Sequence, residues 1–285
     1  MSIKTIAVLG AGLMGSGIAQ VAAQNGFQVH LVDLTFELIE KGLHRARRSL
    51  QRLEKAGKIP AGSTETVLSR IQGFIDLEAA AEDADLVIEA VPENLELKKN
   101  IFRRLDVVCR PEVILATNTS ELSITAIGAA TQRPDKVIGM HWFNPPPVMR
   151  LIEIVIGRNT SPETVATIED ISQRLGKETV RVKDAQGFVT SRVLAAHMIE
   201  CMRVLEEGVA SIEDIDKAVK LGLNYPMGPF ELADYVGLDT MLFVAENLTE
   251  AYGDRFRPPQ VLRKLVEAGH LGVKSGKGFY DYTKN

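Results

Sequence analysis

A glycine loop constrains the start of this chain more tightly than any other feature. Thr5–Leu9 (TIAVL) reads as a buried strand and runs directly into Gly10-Ala11-Gly12-Leu13-Met14-Gly15. A helical pattern follows from Met14 to Asn25, closed by Asn25-Gly26. Between a strand and a helix, each glycine of G-x-G-x-x-G has a task. The first permits a tight turn, the second lets backbone approach a pyrophosphate, and the third lets the helix pack against the strand. The helix N-terminus then turns its unpaired N–H groups toward the phosphates. A second strand, Val29–Val32, ends at Asp33, twenty-three residues after Gly10. A carboxylate at that place receives the ribose hydroxyls of NAD and repels the extra phosphate of NADP. The pattern predicts an NAD site built from Gly10, Ala11, Gly12, Leu13, Met14, Gly15 and Asp33.

The alternation continues down the first two thirds of the chain. A long helical stretch runs from Phe36 to about Lys58, and residues 58–63 (KIPAGS) read as a loop. Further strands are expected at Ala84–Val91, Val113–Ala116, Lys136–His141, Leu151–Ile156 and Thr179–Val182, with helices between most of them. Near-continuous apolar strands alternating with helices predict a parallel sheet covered on both faces. Past Lys183 the strand pattern stops. Val189–Glu207 has helical spacing, Ser211-Ile-Glu-Asp214 has the form of a capping box, and helices are expected from Glu231, Asp239 and Pro259. The expected fold class is therefore α/β: a Rossmann-type N-terminal domain over residues 1–185 and an all-helical C-terminal domain over 186–285.

Composition narrows the function. Apolar residues at 45% and charged residues at 25% fit a folded globular chain, and a net charge of −4 supplies no basic field to attract nucleic acid. No apolar run is long enough to span a bilayer. The N-terminus carries one lysine and has glycines where a signal peptide would need an unbroken apolar core, so the chain reads as cytoplasmic. Cys109 and Cys201 form no C-x-x-C pair, and no metal site is expected.

Two features point to chemistry. The first is Glu153, a carboxylate inside the apolar strand LIEIVI, where a lone charge is costly unless paired. His141 ends the preceding strand twelve residues earlier, across the stiff Asn144-Pro145-Pro146-Pro147 connection. Neighbouring strands would bring the two side by side, as either a proton relay for an alcohol dehydrogenase or a structural pair; an exposed edge-strand glutamate is the third possibility. Ser120 in TNTSEL, after the strand VILA, is placed either to hydrogen-bond a ligand or to cap a helix. The second feature is a basic segment. Residues 37–58 hold seven lysines and arginines against three carboxylates, among them Arg48, Arg52 and Lys55. Such a run is either a solvated helix face or a site for a phosphate-bearing substrate.

Taken together, GAGLMGSGIA, EAVPEN, NTSEL, HWFNPPPVMRLIE, GLNYPMGPFELADYVGLD and GKGFYDY closely resemble the L-3-hydroxyacyl-CoA dehydrogenase family, nearest to its shorter bacterial members, the 3-hydroxybutyryl-CoA dehydrogenases. The resemblance covers nearly the whole chain. It implies NAD as cofactor, an acyl-CoA substrate oxidised at its 3-hydroxyl (or the reverse reduction), and a homodimer formed through the C-terminal domain, with no nucleic-acid or membrane partner. By motif it implies His141 as general base, Glu153 as its partner, and Ser120 near the substrate oxygen and nicotinamide. Glu93, Lys98, Asn144 and Lys274 fall at cofactor positions, and Ser49 falls where the family touches CoA; the contrast between the basic segment and the chain's net charge of −4 favours the phosphate reading of Arg48, Arg52 and Lys55. One departure stands out. The family's Gly-Phe-(Ile/Val)-x-Asn-Arg is here Gly187-Phe188-Val189-Thr190-Ser191-Arg192, so a shorter hydroxyl at Ser191 replaces an amide that reaches toward substrate. A dehydrogenase of another hydroxy acid, such as a gulonate type, and a non-catalytic dinucleotide-binding protein are the alternatives on this scaffold.

Overall fold

Eight strands make a single sheet in the part of the chain up to Asp184: β1 (Thr5–Leu9), β2 (Gln28–Val32), β3 (Ile71–Phe74), β4 (Leu86–Glu89), β5 (Ile114–Thr117), β6 (Val137–Trp142), β7 (Leu151–Ile156) and β8 (Glu178–Lys183). Their spatial order is β3-β2-β1-β4-β5-β6-β7-β8. The helices of this unit are α1 (Leu13–Gln24), α2 (Phe36–Lys55), α3 (Ser63–Leu68), α4 (Leu77–Ala81), α5 (Leu95–Val108), α6 (Ile124–Gly128) and α7 (Pro162–Arg174). The computed structural model describes residues 3–283. The central strands are buried throughout, which is why their sequences read as unbroken apolar runs.

Two points differ from the expectation. The strand β3 has no counterpart in the sequence reading. Its four residues, IQGF, include a glycine and a polar side chain and sit at the sheet edge, so they carry neither alternation nor an apolar run. Gly73 is needed there because a Cβ would lie 2.8 Å from Ile39 Cγ2 on α2. The sheet is also not wholly parallel. β6 and β7 pair antiparallel, while β7 and β8 pair parallel through α7. The cause is the connection: residues 143–150 contain no helix and are too few for a parallel crossover, so the chain must turn back on itself.

From Ala185 onward the chain forms a second unit of helices: α8 (Thr190–Glu206), α9 (Ile212–Gly222), α10 (Pro229–Val236), α11 (Leu238–Tyr252) and α12 (Gln260–Glu267). Met198, Met202, Phe230, Leu238 and Leu262 are among its core. The Ser211 hydroxyl accepts from Asp214 N–H at the start of α9, as its sequence suggests. Two buried carboxylates tie this unit together. Asp216 accepts from Phe230 N–H (2.8 Å), Glu231 N–H (3.1 Å) and the Tyr280 hydroxyl (2.8 Å). Asp234 accepts from the Phe279 and Tyr280 N–H groups (2.9 Å each) and the Tyr282 hydroxyl (3.1 Å). The motifs NYPMGPFELADY and GKGFYDY are thus two halves of one hydrogen-bonded assembly.

Candidate active site

Polar residues gather at the carboxyl ends of β1, β2, β4, β5 and β6. At β1, Gly10 adopts a φ of +98°, and a Cβ there would lie 2.7 Å from Ala90 O. A Cβ on Gly15 would lie 1.7 Å from Gly10 O, so loop and helix touch. Gly12 is the opposite case, with nothing within 4 Å of its would-be Cβ. No side chain caps α1 at Gly12, so its first-turn N–H groups keep their affinity for an anion. Asp33 accepts from Ala11 N–H through Oδ2 and from Leu34 N–H through Oδ1, each at 2.7 Å. Those bonds fix the carboxylate at the mouth of the loop with lone pairs to spare for two hydroxyls. A backbone cradle open at Gly12, a helix N-terminus and an anchored carboxylate fit a dinucleotide.

Between β4 and β5 lies a charged cluster that sequence reasoning saw only in part. Glu89 is fully buried and accepts from Lys98 Nζ (2.6 Å), Val91 N–H (2.7 Å) and Thr117 Oγ1 (2.6 Å). Lys98 is itself 1% exposed and lies 3.3 Å from Glu93 Oε2. Glu93 in turn accepts from Ser120 N–H at 2.8 Å and from the Thr119 hydroxyl. Glu93 and Ser120 are therefore together and partly open, whereas Lys98 lies beneath them. Glu89 could have been suspected in sequence as a charged residue ending the apolar run LVIE. Asn118 also has a definite place: its Oδ1 accepts from Trp142 N–H at 2.9 Å, tying the β5 loop to the end of β6.

His141 and Glu153 lie directly opposite each other in the antiparallel β6–β7 register. Their side chains project to the same face, while Met140, Trp142, Ile152 and Ile154 project to the other and join the core. His141 Nδ1 is 2.7 Å from Glu153 Oε2, and the two residues are 6% and 0% exposed. A carboxylate that close holds the neutral ring's proton on Nδ1, which makes Nε2 the lone-pair nitrogen. Phe143 packs beside the ring at 4.5 Å between centroids. Asn144, next along, is exposed.

A groove of about 580 Å³ opens between α1, α2 and the proline connection. Arg48, Ser49, Arg52 and Lys55 line one wall and Pro145–Pro147 the other. The remaining charges of α2 are mostly engaged: Lys41 with Glu37, Arg47 with Glu65, and Arg45 with Ala11 O at 3.1 Å. Among the described residues no carboxylate pairs with Arg48, Arg52 or Lys55. In the second unit, Ser191 is half-buried in the first turn of α8, and Lys274 pairs with Asp239 Oδ2 at 2.7 Å.

Glycine cradle, helix terminus and anchored acid define a dinucleotide-binding protein of Rossmann type. The chain belongs to the 3-hydroxyacyl-CoA dehydrogenase family: residues 5–185 match the model of its NAD-binding domain and residues 187–282 that of its C-terminal domain. Its cofactor is accordingly NAD. A probable 3-hydroxybutyryl-CoA dehydrogenase of Bacillus subtilis is 49% identical over 285 residues, covering 100% of this chain and 99% of that protein. Among solved structures, FadB2 of M. tuberculosis matches with a TM-score of 0.96 at 41% identity, and the (S)-3-hydroxybutyryl-CoA dehydrogenase of Ralstonia eutropha with 0.95 at 44%. Each match covers 99% of this chain and 100% of the other. Among the described residues no helix is long and apolar enough to cross a membrane, and no group of His, Cys, Asp and Glu could hold a metal ion.

Proposed function

We propose that the enzyme interconverts a short-chain (S)-3-hydroxyacyl-CoA and its 3-oxo form, with His141 and Glu153 as the proton relay. The observation that carries this reading is the buried 2.7 Å contact between His141 Nδ1 and Glu153 Oε2. Bound NAD supplies the hydride acceptor at the substrate's 3-carbon. His141 takes the hydroxyl proton on Nε2 as that carbon becomes a carbonyl. Glu153 keeps the Nδ1 proton in place and offsets the positive charge that develops on the ring. In the reverse direction the imidazolium returns the proton to the new alkoxide. Ser120, whose N–H is held by Glu93, is the candidate donor to the substrate oxygen, and Lys98 acts through Glu93 as its buried support. Asn144 and Lys274 are assigned to the cofactor by motif, and Ser191 takes the place of the family amide near substrate.

The CoA moiety is assigned to the groove along α2. A CoA carries several phosphate charges, and Arg48, Arg52 and Lys55 are cations with the freedom to meet them. A sugar acid would use little of such a strip, which disfavours a gulonate-type substrate. Exposed Leu221 and Leu223 in the second unit support a homodimer through that unit. The test is steady-state reduction of acetoacetyl-CoA by NADH, compared with a gulonate-type oxidation. Turnover of acetoacetyl-CoA that disappears in His141→Ala supports the reading; turnover of the sugar acid alone overturns it.

A further inference from the structure

The three consecutive prolines of the β6–β7 connection have no N–H groups, so the sheet cannot hold them by donors of their own. Only their carbonyls can be gripped. Pro145 O is used locally, accepting from the N–H groups of Val148 (2.9 Å) and Met149 (3.0 Å). Pro146 O and Met149 O are held from outside, by Lys177 Nζ at 2.6 and 2.8 Å. Lys177 stands just before β8 and is only 8% exposed. No carboxylate pairs with it among the described residues; its other neighbour is the Trp142 ring, 5.5 Å to the centroid. Burial pulls its ammonium below the ordinary lysine range. A buried cation answered only by two carbonyls and an aromatic face is unfavourable to place, and both carbonyls come from one short segment. On its other side the same segment meets α1: a Cβ on Gly17 would lie 2.8 Å from Pro146 Cδ and Cγ. Pro146 is thus gripped between α1 and Lys177.

We propose that Lys177 is a positioning residue for substrate binding: it fixes the proline wall of the groove against the wall that carries Arg48, Ser49 and Arg52. This rests on the assignment of the groove to the CoA moiety. Loss of the clamp leaves the prolines to be ordered when the nucleotide end of the substrate binds, so the effect falls on affinity for CoA and spares the reacting centre.

The experiment compares wild type, Lys177→Met and Gly17→Ala with acetoacetyl-CoA and with the acetoacetyl thioester of N-acetylcysteamine, which lacks the nucleotide and phosphates. Lys177→Met should raise KM for acetoacetyl-CoA about tenfold, leave kcat within about threefold, and leave KM for NADH and for the short thioester unchanged. The fluorescence of Trp142, the single tryptophan, should change with it. Gly17→Ala displaces Pro146 from the opposite side and should give the same selective rise; it decides alone if circular dichroism shows Lys177→Met unfolded. An unchanged KM for acetoacetyl-CoA, an equal rise for both thioesters, or a loss confined to kcat overturns the proposal. A wild-type enzyme that binds both thioesters equally well overturns the groove assignment itself, and is seen before any substitution is made.

Discussion

Replacing Glu153 with Gln removes one negative charge and little else. The amide oxygen can still accept from His141 Nδ1–H, so the ring keeps its tautomer and the β6–β7 register its pairing. What is lost is the attraction between carboxylate and imidazolium. An N···O contact of 2.7 Å puts the charge centres roughly 4 Å apart, and at an effective dielectric of about 20 that attraction is about 4 kcal/mol. If half of the ring's charge has developed in the transition state, about 2 kcal/mol of stabilisation disappears, a fall in kcat of about thirtyfold; full development gives about a thousandfold. The assay is oxidation of (S)-3-hydroxybutyryl-CoA at saturating NAD over a range of pH. We expect kcat to fall between those bounds and KM to move little. A kcat within threefold of wild type, in a folded variant, would refute the electrostatic role of Glu153.

Other expectations follow from the same geometry. Asp33→Asn keeps an acceptor for Ala11 N–H but removes the charge, so the preference for NADH over NADPH, measured as a ratio of kcat/KM, should fall at least about tenfold. Ser191→Asn should raise kcat/KM for acetoacetyl-CoA about threefold to tenfold through a longer, two-ended hydrogen-bonding group; no change or a fall would mean the site is suited to serine. Asp85 accepts from Lys4 and Thr5 N–H (2.8 and 3.0 Å) and pairs with Arg110 at 2.8 Å, joining the starts of β1 and β4. Burial works against its charge, yet these bonds together hold its carboxyl below the usual 3.8. Asp85→Asn should therefore cost about 2 kcal/mol near neutral pH by urea denaturation. A depressed carboxyl contributes above its unfolded value, so the gap to wild type should close as pH falls below 3.8 through the folded value.

Much of the site was legible because single residues were out of place. A carboxylate inside LIEIVI demanded a partner, and the stiff proline connection offered His141. The glycine loop and Asp33 pointed to NAD by spacing, the cofactor that the family match gives, and β1 and β7 were bounded correctly because their apolar runs end at glycine or at proline-rich turns. What stayed hidden depends on side chains meeting across long stretches of chain. Lys98 looks like a surface residue of a polar helix, and only the fold reveals that it lies under Glu93 against Glu89, nine residues back. Lys177 is one of many lysines in sequence; nothing local announces that it reaches Pro146, thirty-one residues away. The antiparallel turn at β7 followed from the length of the connection, but the alternating pattern outweighed that clue. The short edge strand β3 has too few apolar residues to register.

The central claim is that His141 moves the proton. Its most direct measurement is turnover of (S)-3-hydroxybutyryl-CoA by His141→Ala, with NAD affinity determined in parallel. The account predicts a kcat lower by about 10²–10⁴-fold with NAD bound as tightly as in wild type. Turnover near the wild-type rate would contradict it.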